Sequence, residues 1–160
     1  SVTSAGKTWN LAAFKAGLII AGTEATPLLQ KLPPLAQQST GHLANLAHTA
    51  ALVSAQDWVD ELMVEVAANK RLLAAELATR VPGVRYEPQP GTYLAWLDCR
   101  AAGIEGSPYQ FFRDKARVAF NDGAIFGAGG EGFVRVNFAC PRSLLAEALL
   151  RVKTALAQKA

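Results

Sequence analysis

The sequence predicts an α/β fold, and three stretches carry that prediction. Val59, Leu62, Met63, Val66, Leu73 and Leu77 recur at three- and four-residue steps, as one face of a long helix does. Thr92 to Asp98 is a strand-length segment apolar on both faces, which suits an interior strand. Phe133 to Ala139 is a second strand, with Val134, Val136 and Phe138 on one face and Arg135 and Asn137 on the other.

The other elements follow in chain order. Residues 1–22 read as a loop carrying Lys7 and then a short buried strand at Gly17-Leu18-Ile19-Ile20. Thr26-Pro27 starts a short helix, with Thr as cap and Pro in the first turn, that ends before Pro33-Pro34. A second helix spans about residues 41–54. Asp57 or Ser54 caps the long helix, and Pro82-Gly83 stops it. Its apolar stripe faces a core. Ser107-Pro108 opens a helix through about Phe120, and Asn121-Asp122-Gly123 closes it. Ser143 lies near the start of a final helix whose stripe is Leu145, Leu149, Val152 and Leu156. The second half is then a compact unit of helices against a small sheet. It joins the first near residues 50–57, with no internal repeat.

Composition bounds the function. Apolar residues make up 51% of the 160 residues, enough for a core, and charged ones only 18%. The net charge of +3 is scattered, with no basic run interleaved with aromatics, so nucleic-acid binding is not expected. Cys99 and Cys140 stand far apart, which suits a reduced, cytoplasmic protein better than a disulfide-stapled one. Both end apolar strands and are expected to be buried and inert. Ala16 to Ala21 is too short to span a bilayer, and no membrane partner is expected. His42 and His48, six apart, fall on different helix faces and make a poor metal pair, so no metal site is expected. The chain opens without Met, and its first motif sits within ten residues of that end, so a piece of a longer protein is expected.

Two glycine motifs are weak. Gly6-Lys7-Thr8 has the ending of a phosphate-binding loop, but Ser1 stands where the first glycine belongs and no strand can precede it. Gly127-Ala128-Gly129-Gly130-Glu131-Gly132 satisfies G-x-G-x-x-G, yet it precedes a strand, the reverse of a dinucleotide site. It reads as a flexible loop that could line a substrate cleft.

A larger constellation surrounds Lys7. The segment Ser4-Ala5-Gly6-Lys7-Thr8-Trp9-Asn10-Leu11-Ala12 resembles the cofactor-lysine segment of class I and II aminotransferases and related pyridoxal-phosphate (PLP) lyases of fold type I. The resemblance implies that Lys7 holds the PLP aldehyde, and that Ser4 and Lys15, three before and eight after it, contact the phosphate. The residue types suit that chemistry, since a hydroxyl and a cation favour a doubly charged phosphate. An amine attacks an aldehyde once it has lost its proton. Gly6 departs from the family, which often has Ser there.

The resemblance continues through Pro90-Gly91-Thr92-Tyr93-Leu94-Ala95-Trp96-Leu97-Asp98 and Gly132-Phe133-Val134-Arg135-Val136-Asn137-Phe138, and so spans essentially the whole chain. Its nearest branch is the cystathionine β-lyase type, the MalY/PatB group. The implied fold is a partial fold-type I PLP-transferase. Residues 1–52 would end the large cofactor domain, and residues 53–160 would form the small C-terminal α/β domain.

The implied role of Arg135 is to clamp the substrate α-carboxylate with a fork of two hydrogen bonds. A structural Arg in an internal ion pair is the competing reading. The implied parent is a homodimeric lyase acting on amino acids, or an aminotransferase. Because the family's pyridine-nitrogen acid and ring-stacking aromatic lie upstream of this segment, the chain alone is expected to be inactive. A non-catalytic folding or dimerisation module is the alternative of another class. Tyr93 and Trp9 read as packing residues.

Overall fold

The computed structural model describes residues 1–159, which form two compact units divided between Leu62 and Met63. The first opens with a two-stranded antiparallel ribbon, β1 (Val2–Thr3) and β2 (Leu18–Ile19), with Val2 opposite Ile19 and Thr3 opposite Leu18. The ribbon makes a closed loop of the residues between, and a 3-10 turn, Ala12–Phe14, fills part of it. Leu18 and Ile19 are exposed, which corrects the expected buried strand. A two-stranded ribbon buries a side chain only where another layer covers it.

Three helices follow: α1 (Thr26–Leu29), α2 (Pro34–Gln38) and α3 (His42–Ser54). Pro34 starts α2 where no helix was expected, because proline at a first turn has no N–H to lose. Thr26 lies inside α1 rather than capping it, and its Oγ1 donates to the Gly22 carbonyl at 3.0 Å. Helix α3 buries Ala44, His48 and Ala51, while His42 stays exposed.

Helix α4 (Gln56–Arg80) runs from the first unit into the second. Val59, Val66, Leu73 and Leu77 are buried as the stripe predicts, but Met63 is 53% exposed. In the second unit, four strands form an antiparallel sheet in the order β3-β4-β6-β5. They are β3 (Arg85–Tyr86), β4 (Leu94–Asp98), β5 (Asn121–Asp122) and β6 (Phe133–Asn137). Strand β4 is interior, as expected, paired with β3 and over its full length with β6.

The chain between β4 and β5 departs from expectation. Ser107 caps α5 (Pro108–Phe111), which widens into a π-helical turn over Phe112–Ala116 and stops at Arg117. Arg117 turns left-handed at φ 56°, which ends the helix short of Phe120. Asn121 and Asp122 then add an edge strand to β6 instead of closing a helix. Helix α6 (Arg142–Ala157) completes the unit with Leu145, Leu149, Val152 and Ala155 buried. Leu156 is only half-buried.

Leu73 and Leu77 of α4, Leu97 of β4, Val136 of β6, Phe112, and Leu145, Leu149 and Val152 of α6 form the apolar side of a half-open pocket of about 390 Å³, whose lining also includes Arg117, Asn121 and Arg135. Phe112, Phe138, Leu73 and Val134 are wholly enclosed. Each such side chain contributes about 1.5–3 kcal/mol relative to exposure.

Candidate active site

Lys7 sits on the loop that the β1–β2 ribbon closes. The loop is fixed at three points. Ser4 Oγ donates to the Ala16 carbonyl at 2.7 Å and accepts the Gly6 N–H at 2.9 Å. The Trp9 indole N–H donates to the Ala55 carbonyl at 2.9 Å, tying the loop to the end of α3. Trp9 is thus a structural anchor. Gly6 is buried against this clasp, and a Cβ there would lie 3.0 Å from Ser4 Oγ and 3.4 Å from Ala12 Cα. The serine often found at this position in the family would not fit without a shift.

Lys7 itself is exposed, and among the described residues its ammonium has no hydrogen-bond or ion-pair partner. The same holds for Lys15, whose backbone is left-handed at φ 51°. A lysine held in that region costs about 1–2 kcal/mol, and such strain gathers at functional sites. Because Ser4 is bonded to Ala16, Ser4 lies beside the backbone next to Lys15 although the two are eleven positions apart in the chain. One loop therefore carries a primary amine, a second cation and a hydroxyl. The residue types of this set fit a phosphorylated aldehyde. The single O–H proton of Ser4 points at Ala16.

Arg135 belongs to the second unit. It lies half-buried on β6, with its neighbours Val134 and Val136 buried on the opposite face, as the alternation predicts. Asn121 faces it across β5–β6, and Trp96 faces it across β4–β6. Its Nε and Nη2 both donate to Asn121 Oδ1, at 3.2 and 3.1 Å. Its Cζ stands 4.4 Å from the Phe126 ring centroid. Among the described residues no carboxylate pairs with it, so the internal ion-pair reading is not what the fold adopts.

The rest of this face is aromatic. Trp96 packs edge-on to Phe126 and stacked on Phe133, each at 5.6 Å between centroids. Beyond Phe133 lies Arg100, its Cζ 4.7 Å from the ring. Arg100 differs from Arg135 in one respect. Its Nε and Nη2 grip both oxygens of Asp98 at 2.9 and 2.8 Å. That grip, reinforced by the Arg100 N–H, holds the Asp98 carboxyl down to about 2. Of these two arginines, Arg100 is paired with a carboxylate and Arg135 with an uncharged amide oxygen. Sequence reasoning missed Asn121, Phe126 and Trp96 as companions of Arg135. The strand alternation gives the face, but only the register gives the partners.

The glycine-rich run forms a loop, and its glycines answer to backbone geometry. Gly130 and Gly123 touch so closely that a Cβ on Gly130 would stand 2.1 Å from the Gly123 carbonyl. At Gly132, with φ 81°, a Cβ would meet Arg100 Cγ at 2.5 Å. Both cysteines are free. Cys99 is buried, and burial with help from Asp98 pushes its thiol up to about 12. Cys140 is only half-buried, though burial raises its thiol too.

The sequence model of the family described as "Aminotransferase class I and II" matches residues 1–152. The chain belongs to this family. A Mycobacterium leprae protein provisionally named a cystathionine beta-lyase is 41% identical over 169 residues, spanning 98% of this chain and 42% of that protein. Cystathionine beta-lyase PatB of Bacillus subtilis is 33% identical over 162 residues, spanning 98% of this chain and 42% of its own. The crystal structure of a Corynebacterium diphtheriae protein, provisionally described as a PLP-dependent beta-cystathionase, superposes with a TM-score of 0.93 at 37% identity. It covers 99% of this chain and 42% of that one. The chain thus holds part of the PLP-dependent transferase fold and spans about 42% of the length of these relatives. Among the described residues no helix is long and apolar enough to cross a membrane.

Proposed function

We propose that this chain is part of a PLP-dependent enzyme acting on amino acids, a carbon–sulfur β-lyase of the cystathionine β-lyase kind. The observation that carries the reading is Lys7, an unpartnered amine on a loop held in place by the Ser4 and Trp9 hydrogen bonds. The names of its relatives supply the reaction class.

Residues 1–52 end the large domain and residues 53–160 form the small one. Lys7 Nζ would hold the cofactor aldehyde and, once the substrate amine has taken its place there, the freed Lys7 amine would accept the proton from the substrate Cα. Lys15 Nζ holds the phosphate, and Ser4 Oγ joins it by giving up its bond to Ala16. Arg135 holds the substrate carboxylate in a hydrogen-bonded fork. When bound, PLP supplies an electron sink for the carbanion left at Cα. A sulfur group leaving Cβ then makes the enzyme a lyase. Transamination is the second reading, favoured by the description of the matching family. We place the enzyme in the cytoplasm, which suits two free thiols, and take it to be a homodimer as the family resemblance implies.

PLP titration tests the reading. The enzyme as its gene encodes it should gain a visible absorbance band that borohydride fixes covalently on Lys7, and its Lys7→Ala variant should lack it. With L-cystathionine, the enzyme as its gene encodes it should release pyruvate and ammonia without a keto-acid acceptor. A need for that acceptor would favour transamination, and the absence of any Lys7-dependent band would sink both readings.

A further inference from the structure

We propose that Asn121 is the positioning residue for Arg135, and that it leaves only the end-on edge of the guanidinium to the substrate carboxylate. The inference rests on the proposed role of Arg135 and deepens it.

A guanidinium offers two edges to a forked acceptor, the side edge of Nε and one Nη, and the end edge of the two Nη atoms. Here the side edge is occupied, because Nε and Nη2 both donate to Asn121 Oδ1. One face is covered by the Phe126 ring. What remains is Nη1 and the second proton of Nη2, the end edge. The approach of a carboxylate is thereby reduced to one direction.

The partner's chemistry matters as much as its place. The amide oxygen of Asn121 aligns the fork without cancelling its charge. The same chain shows the alternative in Arg100, whose Nε–Nη2 edge is filled by the Asp98 carboxylate. An arginine so neutralised has little left to draw a second carboxylate, and the carboxylate already present repels the newcomer. Backbone pairing sets Asn121 directly opposite Arg135 on β6, so the alignment exists before substrate arrives. Asp122, the next residue, accepts the Ala124 N–H at 3.2 Å and anchors the strand's end.

The test compares Asn121→Asp, Asn121→Ala and Arg135→Ala in the complete PLP-loaded enzyme. Asn121→Asp keeps the hydrogen bonds and removes the net charge. It should raise KM for the amino-acid substrate about tenfold or more, with kcat changed less than about twofold and the PLP band intact. Asn121→Ala should raise KM as well. In the cofactor-free protein it should also shift the Arg135 Nε–H resonance and speed its exchange with solvent. If Arg135→Ala raises KM while neither Asn121 variant does, the positioning role fails and the clamp stands. If Arg135→Ala leaves KM unchanged in an active enzyme, the clamp fails and this inference with it. A wild type that turns over no amino acid would overturn the functional reading beneath both. Loss of melting temperature and kcat at constant KM would make Asn121 merely structural and overturn the proposal.

Discussion

Asn69 and Phe138 are joined across 69 residues by a single buried amide. Asn69 Nδ2 donates to the Phe138 carbonyl at 2.9 Å and to the Cys140 carbonyl at 2.8 Å. Both carbonyls lie just past β6, where the strand ladder has ended. Asn69 is 2% exposed, so water cannot take over its work. We expect Asn69→Ala to cost about 2–3 kcal/mol, because two carbonyls lose their donor and a small void opens. Asn69→Asp should be worse, since an ionised carboxyl only accepts and would face two acceptors. It folds only if protonated, so its stability should fall as pH rises above the ordinary carboxyl range. Urea denaturation at pH 4 and pH 8 checks both. Equal stability of Asn69→Asp at the two values would contradict the account.

The Asp98–Arg100 pair makes a pH prediction of opposite sign. In the folded chain the Asp98 carboxyl is held near 2, against an ordinary value of 3.8. A group depressed on folding stabilises above its unfolded value, and that contribution is lost as pH falls through the folded one. Wild type should therefore exceed Asp98→Asn in stability by a constant margin above about pH 4–5, and the margin should vanish near pH 2. Arg100 is exposed and Asp98 only half-buried, so the margin should be small and should shrink in high salt. Parallel stability curves from pH 2 to pH 7 would show that the pair contributes nothing.

Much of this fold is legible because its signals repeat. Helix α4 keeps an apolar stripe over many turns, and β4 and β6 keep apolar positions over their whole length. A stripe stepping by threes and fours still wanders around a long helix, so Met63 could satisfy the pattern and yet face solvent. Strand β5 has only two residues and exists because β6 lies beside it, so no local periodicity announces it. The π-helical turn that places it there is equally silent. For the site, the Lys7 segment is local, so its resemblance to a family motif is visible in the sequence. The Asn121–Arg135 contact spans fourteen residues and depends on register, which a single chain does not spell out.

The pairing of Gly123 with Gly130 leads to a third prediction. A Cβ on Gly123 would stand 2.3 Å from the Gly130 carbonyl and 2.6 Å from the Phe133 carbonyl. All these atoms are backbone, so nothing flexible can give way. Gly123→Ala should prise the loop from β6, costing about 1–3 kcal/mol, and carry Phe126 off Arg135 and Trp96. Near-ultraviolet circular dichroism of the tryptophans should change along with the unfolding midpoint. Gly91→Ala is the control, because a Cβ there meets nothing within 4 Å; it should stay within about 0.5 kcal/mol of wild type.

Lys15 separates stability from function. Its left-handed backbone suits glycine, whereas the side chain adds strain and makes no hydrogen bond or ion pair among the described residues. Lys15→Gly should relieve that strain, partly offset by the greater freedom of glycine in the unfolded chain, and leave the protein at least as stable. Lys15→Ala keeps the Cβ and therefore the strain, so it should gain nothing. If Lys15 holds the cofactor phosphate, both variants should bind PLP several-fold more weakly, and the difference should shrink as salt screens the charge. Melting temperature and PLP titration, read on the same two variants, decide between the possibilities. A strained lysine that can be replaced by glycine with higher stability and unchanged PLP affinity has no phosphate to hold. A more stable Lys15→Gly with weakened affinity is the pattern of strain kept for the sake of a site.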